Sequence, residues 1–82
     1  MANASEGTIF GTTVRRLRTD REWTQEDLAD AAGLTSTYVG QVERGDKVPS
    51  LTVVLKLARG LSVAPADLLV DFTPATLRRL RL

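Results

Sequence analysis

Residues 24–45 read TQEDLADAAGLTSTYVGQVERG, and the helix signals in this stretch set the architecture. Thr24 is a helix N-cap candidate with Asp27 three positions on, a close relative of the capping box, and Glu26 and Asp27 put negative charge at the positive end of the helix dipole. Gly33 supplies a left-handed stop, so the helix is short, with Leu28, Ala31 and Ala32 expected inward. After the break at Gly33, Leu34 and Thr35, Thr35 caps a second short helix over 36–44, which Gly45 ends. Its inward positions are Val39 and Val42; Ser36, Thr37, Tyr38, Gly40, Gln41 and Arg44 are left outward, mostly hydrogen-bonding groups with few fixed charges. Gly40 costs about 1 kcal/mol against alanine in a helix. A glycine there makes sense where a close neighbour forbids a side chain, and drift explains it equally well.

Helices this short do not persist alone in water, so the flanking sequence must pack against them. Upstream, Ile9, Phe10, Val14, Leu17 and Arg21 fall three to four residues apart, with Arg15, Arg16, Thr19 and Asp20 on the other side, which predicts an amphipathic helix. Trp23, just before the Thr24 cap, reads as a hydrophobic plug at the corner. Downstream, Ser50 caps a fourth helix with Leu51, Val54, Leu55 and Ala58 inward until Gly60. Residues 61–70, LSVAPADLLV, predict a fifth, with Pro65 in its first turn and Val63, Leu68, Leu69 and Val70 as its apolar set. Thr73 and Pro74 open a short basic helix carrying Leu77 and Leu80 beside Arg78, Arg79 and Arg81, and residues 1–8 have no periodicity and are expected to be a flexible end. With no strand signal, the fold class is all-α: a compact five-helix domain over 9–71 and a basic tail or short sixth helix over 72–82.

Composition narrows the function. With 82 residues there is room for one domain, and the absence of Cys and His removes disulfides, zinc fingers, thiol nucleophiles and imidazole acid–base chemistry. There is no Gly-rich phosphate loop either, so no enzyme, metal, cofactor or small-molecule ligand is expected. No apolar run approaches the roughly 20 residues of a membrane span, and a cytoplasmic protein without membrane contact is expected. The net charge of +1 announces no nucleic-acid partner by itself, but it is unevenly spread: residues 1–50 hold six basic and eight acidic side chains, residues 51–82 five and two.

Two short helices about a three-residue turn, the second offering polar side chains, form the layout of a helix-turn-helix. Ser, Thr, Gln and Tyr read base edges in the major groove without the promiscuity of a bare charge. The order of signals, LR in the first helix, then TQEDLA, AGLT, YVGQVERG and PSL, resembles the helix-turn-helix family of phage Cro proteins and repressors and of bacterial XRE-type regulators, over about residues 10–69. The resemblance implies a five-helix domain that binds double-stranded operator DNA as a homodimer, with restriction-modification controller proteins among the free-standing members of this size.

By that resemblance Gln25 meets a phosphate, Ser36, Thr37 and Gln41 face bases, and Tyr38 stands between base and backbone contacts. Lys47, in the loop with Asp46, is a phosphate partner. The N-termini that Thr35 and Ser50 cap, and Arg44, complete the expected DNA surface. The resemblance also pairs Arg18 with Glu43 as a structural ion pair, and places the dimer interface around the fifth helix, here Val63, Leu68, Leu69 and Phe72. The alternative from another class is an antitoxin or other protein-binding module that uses the C-terminal tail.

Overall fold

The computed structural model describes residues 5–82. The order is α1 (Glu6–Asp20), α2 (Gln25–Ala32), α3 (Ser36–Glu43), α4 (Leu51–Leu61), α5 (Pro65–Leu68) and α6 (Pro74–Arg79), with no strand among the described residues. The all-α expectation and the short sixth helix are both found. Each helix starts on a capping hydroxyl except α5: Ser5, Thr24, Thr35, Ser50 and Thr73 each accept the backbone N–H three residues on.

The start of α1 corrects the sequence reading. Residues 1–4 of the expected flexible end lie outside the described residues, but Ser5 caps the helix and Glu6–Thr8 form its first turn. The physical reason is a tight seam with the end of α3. A Cβ on Gly11 would lie 2.2 Å from the carbonyl oxygen of Val42 and 2.7 Å from that of Glu43, and one on Gly7 would lie 3.1 Å from that of Gly45. Gly45, in the left-handed region at φ 81°, in turn faces the backbone of Thr8. Two glycines that weaken α1 as an isolated helix are therefore what lets it lie against another backbone.

The core is built from Phe10 and Val14 of α1, Leu28, Ala29 and Ala32 of α2, Val39 and Val42 of α3, Val54, Leu57, Ala58 and Leu61 of α4, and Leu68 of α5. Three expectations shift. Ala29 rather than Ala31 turns inward on α2, because the α2 backbone at Ala31 and Ala32 lies against Gly60 of α4, where an added Cβ would sit 3.0 Å away. On α4 the buried stripe runs 54, 57, 58, 61, leaving Leu51 and Leu55 exposed; the helix passes through Gly60 and stops at Ser62, which takes the left-handed cap at φ 58°. The fifth helix shrinks to one turn: Asp67 Oδ2 accepts the Ala64 N–H at 3.0 Å and the helix ends at Leu68, with Leu69 as its C-cap. Val63 lies in the preceding loop and Val70 beyond the helix.

The Gly11 contact generates a stability prediction. Gly11→Ala is expected to cost about 1–3 kcal/mol through overpacking against fixed backbone, lowering the melting midpoint by roughly 4–8 °C per kcal/mol for a domain of this size. Thermal unfolding followed by circular dichroism checks it, and a wild-type midpoint contradicts the close α1–α3 seam.

Candidate nucleic-acid interface

Between α2 and α3 the chain reverses through Gly33, at φ 70°, and the Leu34 N–H closes the end of α2 on the Ala29 carbonyl at 2.9 Å. Thr35 then starts α3 at once, its hydroxyl accepting the Tyr38 N–H at 3.1 Å. Val39 and Val42 bury the inner side of α3. Thr37, Gln41 and Arg44 fall at i, i+4 and i+7 on the outer side, where Thr37 and Arg44 are exposed and Gln41 is partly so. Ser36 and Tyr38 are half-buried at the edges of this stripe.

The C-terminal end of α3 is anchored by an ion pair between buried Glu43 and part-buried Arg18. Arg18 Nε donates to Glu43 Oε2 at 2.6 Å, Nη2 donates to Oε1 at 3.0 Å, and Nη1 donates to the Trp23 carbonyl at 2.6 Å. The Glu43 hydrogen bond raises the Arg18 pKa above its usual value against the opposing effect of burial, with the charge of Glu43 adding to the rise. Arg18 therefore stays charged at any accessible pH. The pair expected between helix one and helix three is present, and it reaches further than a structural clamp: Glu43 Oε1 also accepts Gln25 Nε2 at 3.1 Å, fixing the first side chain of α2 beside α3. Trp23 packs against the core at the corner, as expected of a plug.

The remaining expected contacts lie in the loop after α3 and at the helix starts. Lys47 is exposed in the loop after α3, and Ser50 is exposed at the start of α4 with its hydroxyl oxygen accepting the Val53 N–H at 3.2 Å. The Thr35 and Ser50 oxygens are thus occupied as caps, while their hydroxyl hydrogens remain free to donate. Arg44 Nε reaches Asp46 Oδ2 at 3.1 Å, an exposed pair of the kind that contributes little. Tyr38 lines an open, mostly apolar groove with Leu34, Thr35 and Val53.

One residue escaped the sequence reading. Arg15 lines a cleft of about 260 Å³ together with Arg18, Gln25, Glu43 and Arg44. Its three-residue spacing from Arg18 was the available signal, since positions i and i+3 share a helix face.

The expected dimer residues divide. Leu68 is fully buried in the core of its own chain, so it presents no surface; this corrects its assignment to an interface. Val63 and Phe72 pack half-buried against that core, whereas Leu69 and Val70 are exposed. The segment after α5 is tied to α1: the buried Thr13 hydroxyl donates to Asp71 Oδ2 at 2.9 Å, and Arg16 lies 3.7 Å from the same oxygen.

A family model described as a helix-turn-helix domain matches residues 9–71. The chain belongs to this helix-turn-helix family. It is 41% identical over 66 residues to the control protein C.BamHI of Bacillus amyloliquefaciens, covering 79% of this chain and 80% of that protein. It is 38% identical over 55 residues to the HTH-type transcriptional regulator SutR of Escherichia coli, matching 67% of this chain but only 31% of the longer regulator. Among solved structures, the restriction-modification controller protein C.AhdI from Aeromonas hydrophila superposes with a TM-score of 0.75 at 44% identity, over 77% of this chain and 96% of that one. The wild-type controller protein C.Esp1396I, at 21% identity and a TM-score of 0.77, shares the fold over 93% of this chain. Family membership makes this helix-turn-helix chain one of a class of DNA-binding regulators.

The anchoring pair yields a prediction. Glu43→Ala leaves a part-buried guanidinium without its carboxylate and is expected to cost about 1–3 kcal/mol. Arg15→Ala, on an exposed side chain of the same cleft, is expected to stay within about 0.5 kcal/mol. Urea unfolding of both variants checks the contrast.

Proposed function

We propose that the protein is a sequence-specific transcription regulator that binds operator DNA as a homodimer in the cytoplasm, laying α3 in the major groove. The observation that carries this reading is the outer stripe of α3, Thr37, Gln41 and Arg44, held by a helix whose opposite side is locked into the core. Thr37 and Gln41 supply donors and acceptors for base edges, with Ser36 and Tyr38 beside them. Gln25, Lys47 and the helix N-termini capped by Thr35 and Ser50 supply backbone contacts that fix register without reading sequence. With a net charge of only +1, one copy gathers few phosphates, and a two-fold pair that places reading helices about 34 Å apart doubles that number.

Exposed Leu69 and Val70, behind which Leu68 and Phe72 tie the segment to the core, support association of two copies at this end of the fold. The likeness to C.BamHI and C.AhdI, a control protein and a restriction-modification controller protein by name, supports the same role for this chain.

Thr37→Ala and Gln41→Ala are expected to weaken operator binding by about 1–3 kcal/mol each and to relax base preference, while Lys47→Ala weakens all duplexes alike and flattens the salt dependence. Selection of bound duplexes from a random pool supplies the operator, and titration of that operator against scrambled duplex checks the three variants. Equal losses on both duplexes for Thr37→Ala and Gln41→Ala defeat the direct-readout assignment. For the assembly, Leu69→Glu is expected to sediment as a monomer at concentrations where the unaltered chain is dimeric.

A further inference from the structure

Gly40 sits in the middle of α3 without a backbone reason to be glycine. Its φ is not positive, it is buried although the sequence pattern placed it outward, and the three atoms nearest to an added Cβ, outside its own helix and chain neighbours, all belong to side chains. What a Cβ there would meet is the far ends of two polar side chains: Arg44 Nη1 at 3.1 Å, and Gln25 Oε1 and Nε2 at 3.3 and 3.5 Å. Gln25 and Arg44 thus cover Gly40, and both line the cleft that Arg15 reaches from α1.

The charges in this cleft are unequal. Arg18 is spent on Glu43 and the Trp23 carbonyl, and the Glu43 carboxylate is satisfied by Arg18 and Gln25. That leaves the guanidinium groups of Arg15 and Arg44. The only ion-pair partner of Arg44 among the described residues is exposed Asp46, which an entering anion can displace at little cost.

We propose that Arg15 and Arg44, with the Gln25 amide, form a seat for one phosphate of the DNA backbone, and that Gly40 is the residue that lets Gln25 and Arg44 lie close enough over α3 to build it. The proposal rests on the DNA-binding reading above and adds two determinants to it, Arg15 and Gly40. A tetrahedral anion with several acceptor oxygens matches two planar forks of N–H donors and a side-chain amide. The seat adjoins the Gln41 and Arg44 end of the α3 stripe, so a strand whose bases meet α3 carries its phosphates past it. Gln25 is also the first residue of α2, whose dipole favours negative charge at this end.

The full chain is titrated against a fluorescently labelled duplex of random sequence, by anisotropy, across a salt series. Arg15→Gln is expected to weaken binding several-fold and to reduce the salt slope by about 0.9 for each chain bound. Gly40→Ala is expected to weaken binding by a similar factor while its melting midpoint equals or exceeds that of the unaltered chain, because alanine favours the helix and only side-chain ends must move. Arg16→Gln, whose arginine lies beside Asp71, is the charge-matched control and is expected to leave the slope unchanged. Wild-type binding by Arg15→Gln or Gly40→Ala overturns the seat, as does an equal loss in Arg16→Gln, which assigns the effect to net charge. Lys47→Ala separates this proposal from the reading beneath it: a flattened slope there with none in Arg15→Gln removes the seat alone, unchanged binding in every variant removes both the seat and this DNA-facing surface, and no binding by the unaltered chain removes the DNA-binding reading itself.

Discussion

The contact between Arg18 and Glu43 holds the rest of the molecule in register. It joins the end of α1 to the end of α3 across the protein, and through the Trp23 carbonyl it fixes the corner from which α2 starts. Placing both charges inside a domain this small carries a desolvation cost that only near-ideal geometry offsets. The geometry meets that condition: two parallel hydrogen bonds between the groups, a third to a main-chain oxygen, and a fourth from Gln25 to the carboxylate. An apolar pair of the same volume would fill the space, but it would neither orient Gln25 nor set the rotation of α3 about its own axis.

That rotation matters because α2 and α3 have eight residues each. Helices of two turns take their stability from packing, and packing alone tolerates small rotations of a smooth valine face. Gly11 removes this freedom from the other direction, by bringing the backbone of α1 against the Val42 and Glu43 carbonyls. A polar bond network and a backbone seam thus constrain the same end of α3 and leave its N-terminal half, with Ser36 and Thr37, at the surface.

Most of this architecture was legible because its signals are local. Thr24, Thr35, Ser50 and Thr73 announce helix starts by chemistry that acts over three residues, and all four cap where expected. The errors lie where a distant backbone decides. Gly7 and Gly11 look like weak helix positions until α3 is laid against them, and Gly60 looks like a stop until α2 is found beside it. Leu51, Leu55, Leu57 and Leu61 offer two apolar stripes on one helix, and only the position of α2 selects between them. For the proposed site, Gln25, Thr37, Gln41 and Lys47 came from the family resemblance carried by motif order, whereas Arg15 needed three helices in place before its cleft existed.

Thr13 is a small residue, but its bond to Asp71 gives α1 two jobs at once. On one flank α1 carries α3 through Gly11 and Arg18; on another it carries the segment of Leu69 to Phe72 through Thr13 and Arg16. In the proposed pair of copies joined through that segment, α1 stands between the joined segment and α3 in each copy. The distance between the two α3 helices of such a pair would then depend in part on the small side chains that let α1 be gripped from both sides.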